Sequence, residues 1–420
     1  MWRALLSTVF LGSLILSNPN GASAQDAPLF QLHPSISLTE EYTDNFDRTS
    51  ANKRENFRTL AAPGLLLKIN GAKTKGEVGG SVGFSHDTAD EGKAIRANAL
   101  AGVTWQPNPI YSFQFTDTLT KSDVPGLTGT LGIRRGRAEF LSNNATLISN
   151  YQIGNVNTRI NYSNVIFEDE NPTGEDTLTH TIGGTVAVPI LQINTVSAGY
   201  TRSFSLFSTS PDTTTDTFIA TVSRLVGPFT TVGLTGSSSF INSDGGTDSK
   251  IYSAALTGTH SIPQGFSVSA RAGYSIFDQD SGGSEGSLSG GLSVSYQFAK
   301  ATVTVSYDEG FVPTFTGGQN LGTVKNRQVS STLSYQVTPF VSTGVTGFFA
   351  QNEFFGGVGT TADAAPGRKT DSAGVAADIG IQLLRWLRMT LGYGFERFRS
   401  NVAGEDFDEN KGRVSLTAAF

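Results

Sequence analysis

The sequence predicts an all-β fold: a transmembrane antiparallel up-and-down β-barrel of about twenty strands, with eighteen as the alternative. Three observations carry that reading. Apolar and polar residues alternate with a period of two over long segments. Tight breaks recur at a regular spacing, with longer polar stretches between them. The polar positions are small and hydroxylic instead of rich in Lys and Glu, as expected of a wall that encloses water.

The unit is clearest over 288–307. Leu288, Leu292, Val294, Tyr296 and Phe298 share one parity, and Ser289, Gly291, Ser293, Ser295 and Gln297 share the other. After Ala299-Lys300 the pattern resumes, with Ala301, Val303, Val305 and Tyr307 against Thr302, Thr304, Ser306 and Asp308. A period of two means an extended strand with one apolar and one polar face. Segments of about ten residues or more suit a tilted strand that crosses a bilayer.

The chain opens Met1-Trp2-Arg3, runs apolar from Ala4 to Leu16 and reaches Ala22-Ser23-Ala24. A charged start, an apolar stretch and an Ala-x-Ala site predict a signal peptide over 1–24 and a mature start at Gln25. The apolar stretch falls short of the ~20 residues that a helical span needs. Net charge is −6, and removal of Arg3 with the leader makes it one unit more negative, which argues against a nucleic-acid partner. The absence of Cys excludes a disulfide framework. Gly at 48 of 420 residues exceeds the usual ~7% and suits a turn-rich β chain. The remaining chain divides into a periplasmic amino-terminal segment over 25–34 and a barrel over 35–420.

The short breaks fall at Asn70-Gly71, Pro107-Asn108-Pro109, Ser149-Asn150, Pro189, Gly227-Pro228, Pro263-Gln264-Gly265, Ala299-Lys300, Thr338-Pro339 and Leu384-Arg385. Pro and Gly punctuate turns there because neither continues a central strand. Between them lie polar stretches such as 278–287, 315–323 and 354–369. Short turns on one side and long loops on the other are the asymmetry of bacterial outer-membrane barrels, with turns toward the periplasm and loops outside. A soluble propeller also repeats at about forty residues, but needs four short strands per unit. Trp105, Tyr111, Phe229, Phe266, Tyr296, Phe298, Phe340 and Trp386 cluster beside the tight turns, where amphipathic rings favour a lipid–water boundary.

In the last strand Val414, Leu416, Ala418 and Phe420 share a face, and the chain stops on Phe420. A terminal Phe on an alternating strand resembles the end signature of outer-membrane proteins, which implies that the assembly machinery is a partner. Ala418 stands where the signature carries a second aromatic residue. Near the start, the string His33-Pro34-Ser35-Ile36-Ser37-Leu38-Thr39-Glu40-Glu41-Tyr42-Thr43-Asp44-Asn45 resembles the first strand of a family of outer-membrane β-barrel porins. Ala62-Pro63-Gly64-Leu65-Leu66-Leu67 is similar to that family's Pro-Gly-aliphatic stretch. Some members accompany exopolysaccharide export systems, so the resemblance implies a barrel and adds polysaccharide export components as an alternative set of partners.

Catalytic and metal chemistry find little support. His86, His180 and His260 share the outward parity with Phe84, Ile182 and Ile262, and His33 precedes the first strand. Ser85-His86-Asp87 does not make a triad, because strand neighbours point to opposite faces. The acidic strings Glu168-Asp169-Glu170 and Glu405-Asp406-Phe407-Asp408-Glu409 read as solvated loops. No enzyme activity, cofactor or metal is expected.

The lumen is the expected site. Arg96, Arg159, Arg271, Asp378 and Arg388 fall on the polar parity, as do Glu77 and Glu396. An Arg facing lipid at mid-membrane costs about 2–4 kcal/mol, whereas a charge facing the lumen stays solvated. Mixed signs inside a barrel filter polar solutes or stiffen the wall as ion pairs. The loop over 121–137 is the third long one, and resembles the constriction loop of general porins in order and length. Its Lys121, Arg134, Arg135 and Arg137 are candidates for a cationic constriction, although the acidic chain runs against anion preference. Together these observations predict an integral outer-membrane channel for small hydrophilic solutes, in contact with membrane lipid and lipopolysaccharide. The alternatives are an exopolysaccharide-associated export channel, a non-conducting structural or adhesive surface barrel, and a barrel hydrolase.

Overall fold

The computed structural model describes residues 29–89, 93–123, 139–170, 174–191, 193–280, 282–314, 322–355 and 367–420. The predicted signal peptide lies outside the described residues.

Twenty strands, β1 to β20, follow in chain order from β1 (Phe30–Thr43) and β2 (Asn56–Asn70) to β19 (Leu387–Ser400) and β20 (Phe407–Ala419). Each is antiparallel to the next. The sheet closes where β1 meets β20, with Ser35 opposite Ala419 and Thr43 opposite Lys411. The strands run from 12 residues in β5 (Tyr111–Ser122) to 16 in β4 (Lys93–Asn108), long enough to cross a bilayer at a tilt. β1 already begins at Phe30. His33 is therefore part of the first strand rather than ahead of it.

The nine turns at one end, the turn end, have two or three residues. Seven of them contain or adjoin the expected breaks. The Ser149-Asn150 break is corrected: β6 (Phe140–Ile153) runs through it and turns at Gly154-Asn155 into β7 (Val156–Asp169). Gly154 there takes a φ of 58°, which suits a residue without Cβ. The break at Pro189 moves likewise, since β8 (Thr177–Ile190) includes that proline and is followed by β9 (Asn194–Phe207). At the opposite loop end, the stretch over 278–287 is mostly strand. β13 (Phe266–Gln279) and β14 (Gly283–Gln297) are joined by 280–282 alone.

The molecule is inside out by the standards of a soluble domain. One small apolar cluster, Ile241, Ile251 and Phe277, is buried among the described residues. Large apolar side chains along the outer parity of the strands are exposed, Leu256 at 67% and Phe84 at 59% among them. The most buried side chains include Arg58, Arg368, Glu409 and Asn45. Exposed apolar area of that extent is stable only against lipid. Rings gather at the turn end: Trp105 stacks on Phe113 at 5.8 Å and Trp386 on Phe420 at 5.8 Å. A second set of rings, not anticipated from the sequence, lies on the outer face about midway along the strands. There Tyr200 donates to Asp216 (2.5 Å), Tyr307 to Glu309 (2.6 Å) and Tyr393 to Asn410 (2.7 Å). A phenol with its hydroxyl bonded to a polar group suits a lipid–water boundary.

The wall is incomplete at one place. The ladder between β14 and β15 (Ala301–Pro313) ends at Gly290 opposite Glu309, although both strands continue. Above that point, Phe311 of β15 and Phe355 of β17 (Val341–Phe355), both on the outer parity, contact Phe277, which is on the inner parity of β13. Lys325 of β16 (Thr323–Thr338) likewise reaches Glu285 of β14 at 3.5 Å. The upper ends of β15–β17 therefore tuck inside the upper ends of β11 (Thr230–Ser243), β12 (Ser249–Ile262), β13 and β14 and narrow the mouth.

Candidate functional site

The lumen wall is built from cross-strand hydroxyl pairs. Thr39 meets Ser415 (2.8 Å), Thr217 meets Ser239 (2.9 Å), Ser253 meets Ser275 (2.9 Å) and Ser306 meets Ser293 (3.1 Å). Each lies on the inner parity, and its strand neighbours, such as Leu292 and Val294 beside Ser293, point outward, as the period of two requires. Small hydroxyls satisfy one another and leave the wall hydrophilic without filling the bore.

Charged side chains interrupt this wall in two zones. In the turn-end half they are open to solvent. Arg271 is 51% and Asp308 66% exposed, and they face each other at 3.9 Å across Gly291. Arg388 lies across Gly380 and donates to the Ser342 hydroxyl at 3.3 Å. Arg159 and Asp378 are exposed on the same inner parity, and among the described residues neither has an ion-pair partner.

The loop-end half is different. Arg58, 2% exposed, donates to both Asp87 oxygens at 2.6 and 2.9 Å and also to Asp123. Arg96 holds the other Asp123 oxygen at 2.6 Å and lies 3.8 Å from Glu41. Asn56 completes the shell of Asp87 at 2.6 Å. On the neighbouring arc, Arg48 reaches in from the loop after β1. It pairs with Glu409 (2.9 Å) and Glu396 (3.0 Å), while Lys411 takes Glu409 at 3.0 Å. Arg368 pairs with Glu405 at 2.8 Å. Buried charges persist only when opposed and hydrogen-bonded, and here both signs are matched across strands. The lumen-facing rings Phe167, Phe277, Phe354, Phe398 and Phe407 are also buried at this end, packed on neighbouring side chains.

The expected lining residues Arg96, Arg159, Arg271, Asp378 and Arg388 all lie on the inner parity. They do not form one ring: Arg96 belongs to the buried network and the others to the open half. Lys121 faces outward instead, on the parity of Phe115, and is tied to Glu170 (2.6 Å) and Glu139 (3.3 Å). Its hydrogen bond holds the Glu170 carboxyl below its ordinary value. This placement does not suit a constriction. Arg134, Arg135 and Arg137 lie outside the described residues. His180 and His260 sit on the outer face, bonded to Tyr162 (2.9 Å) and Thr230 (2.8 Å). The string over 405–409 splits by parity: Glu405 and Glu409 join the buried pairs, and Asp408 binds Arg397 and Arg399 on the outer face. No group of three His, Asp or Glu side chains placed to hold a metal occurs among the described residues. Arg58, Asp87 and Asp123 escaped the sequence reading, although Arg58 beside lipid-facing Phe57 carried the parity signal.

Fold and lining together define the chain as a closed twenty-strand β-barrel of the outer-membrane class. No family model matches it, and no curated protein matches it in sequence. Solved structures match in fold. The siderophore receptor PirA from Pseudomonas aeruginosa superposes with a TM-score of 0.51 at 11% identity, over 94% of this chain and 81% of that one. The ferric enterobactin receptor PfeA from the same organism gives 0.51 at 10% identity, over 93% and 81%. The outer-membrane protein OpdK, also from that organism, gives 0.44 at 10% identity, over 93% and 99%. At such identities the likeness is one of barrel architecture.

Proposed function

We propose that this protein is an integral outer-membrane channel for the passive passage of small hydrophilic solutes, with its turns at the periplasm and its loops outside. The observation that carries the reading is the two-zone lumen of a closed barrel. A hydroxyl-lined, solvent-exposed half opens at the turn end, and a paired ionic network with tucked strand ends narrows the loop end. Barrels of ~16–18 strands already enclose an aqueous channel, so size selection falls to the filled half. Opposed charges there set up a transverse field that favours dipolar solutes over apolar ones of equal size.

The test is proteoliposome swelling with graded sugars, alongside conductance in planar bilayers. Uptake of a pentose with exclusion of a trisaccharide, and discrete conductance steps, are the expected results. Vesicles that swell no faster than protein-free controls, with no conductance steps, would remove the channel reading.

A further inference from the structure

Two rows of the lumen wall share one layout, and they differ in one respect. On β13–β15 the row is Arg271, Gly291, Asp308, each opposite the next. On β18 (Lys369–Leu384), β19 and β20 it is Asp378, Gly392, Arg413. In each, an acid and a guanidinium flank a glycine, two strand spacings apart, or about 9.6 Å between backbones. In the first row the charges meet over the glycine, at 3.9 Å. In the second row they do not meet: among the described residues, Asp378 and Arg413 have no ion-pair partner within 4.0 Å. A cavity of about 250 Å³ lies at this second row. Glu41, opposite Arg413 on β1, adds a second carboxylate, 3.8 Å from Arg96.

We infer that the Asp378–Gly392–Arg413 row is a binding site for a small zwitterion such as a free α-amino acid. Arg413 takes the carboxylate and Asp378 takes the ammonium. The planar guanidinium matches a carboxylate in two parallel hydrogen bonds, and Asp378 offers acceptors only. Gly392 supplies the floor, and a Cβ there would already lie 3.6 Å from the Arg413 Nε. Gly344 keeps the far side clear, since a Cβ there would sit 2.7 Å from Asp378 Oδ1. The cavity adjoins Arg58 and Lys411 of the buried network, so a solute held here stands where the open half meets the narrow one. The first row, five strands away around the twenty-strand barrel, is the internal control. There the guanidinium and the acid already lie within 3.9 Å of each other, so a zwitterion finds its two charges partly met and should bind more weakly.

This site deepens the channel reading, so its test reads binding apart from passage. Saturation-transfer NMR on the detergent-folded protein would be run with free glycine, acetate and ethylammonium as separate probes. Glycine is expected to bind about tenfold or more tightly than either half-probe, because only glycine engages both charges. Arg413→Gln and Asp378→Asn should each bring glycine down to the level of the half-probes. Asp308→Asn, on the control row, should leave it unchanged. Glycine binding equal to that of acetate, or binding retained in both row variants, would overturn the proposal. Swelling with glycine and with its neutral analogue glycolamide reads passage in parallel. If glycine binds but nothing passes, the site stands and the channel falls.

Discussion

Arg58 is the residue on which the narrow half of the lumen depends most, and its replacement is the sharpest test of the buried network. Arg58→Met keeps most of the side-chain volume and removes the charge. Among the described residues, Asp87 would then retain Asn56 and Asp123 would retain Arg96. One carboxylate's worth of charge is left uncompensated among side chains that are 2% to 14% exposed. Breaking a buried pair in this way costs ~3–5 kcal/mol. The lumen admits some water at Asp123, which places the expectation near the lower limit, about 3 kcal/mol. That is a large share of the ~5–15 kcal/mol typical of a folded domain. Adding Asp87→Asn removes the surplus charge, and the double variant should recover to within about 1–2 kcal/mol of wild type, the worth of the lost hydrogen bonds. Urea unfolding in lipid vesicles, followed by tryptophan fluorescence, measures both variants. Reversal potentials in a KCl gradient give a second readout: Arg58→Met should shift preference toward cations, and the double variant should shift it back. A single variant within ~0.5 kcal/mol of wild type, the scale of a surface change, would refute the claim that this network is shielded. So would a double variant as unstable as the single one.

Other expectations follow from the same geometry. Leu256→Arg, on the lipid face of β12 (Ser249–Ile262), should cost about 2–4 kcal/mol in vesicle unfolding, while neighbouring Thr257→Arg, facing the lumen, should cost little. Equal costs would contradict the assigned parity. The native chain has no Cys, so Phe277→Cys with Phe311→Cys makes a unique pair across rings now 5.6 Å apart. A short thiol cross-linker should hold the conductance at its low state, and cleaving it should restore native gating; identical traces before and after would show that the tucked strand ends do not control the mouth. Tyr200→Phe removes the hydroxyl donated to Asp216 and should lower stability by ~0.5–1.5 kcal/mol, measured by the same unfolding assay.

Much of the architecture was legible because a strand writes its two environments directly into its parity. Ile95 and Arg96 differ by one position and by everything else: Ile95 is 54% exposed to the lipid side and Arg96 is 9% exposed inside. The twenty-strand count followed from that alternation and from Pro- and Gly-marked turns. Two turns were misplaced: Gly154-Asn155 is a weaker mark than Pro107-Asn108-Pro109, and Pro189 marks a strand end ahead of its turn. The stretch over 278–287 read as loop because small polar residues suit both a loop and a lumen-facing strand. Lys121 was placed with its loop instead of with its strand, and the parity of Phe113 and Phe115 would have turned it outward.

Partnership was not legible, and the reason is geometric. Arg58 and Asp123 are 65 positions apart, and Thr43 and Glu409 are 366 apart. Such pairs exist only once register fixes which residues of neighbouring strands share a level and closure brings β1 to β20. The same limit explains why two rows with one residue pattern behave differently. Arg271 and Asp308 close over Gly291, whereas Arg413 has Glu41 beside it on the strand across the seam of closure. A guanidinium drawn between two carboxylates on either side, Glu41 and Asp378, need not settle on one of them. That leaves its donors turned to the bore, where an incoming carboxylate can compete. At this level the seam of the barrel leaves Asp378 and Arg413 open, while Thr39 with Ser415 on the turn-end side, and Thr43 and Arg48 with Glu409 nearer the loop end, close it.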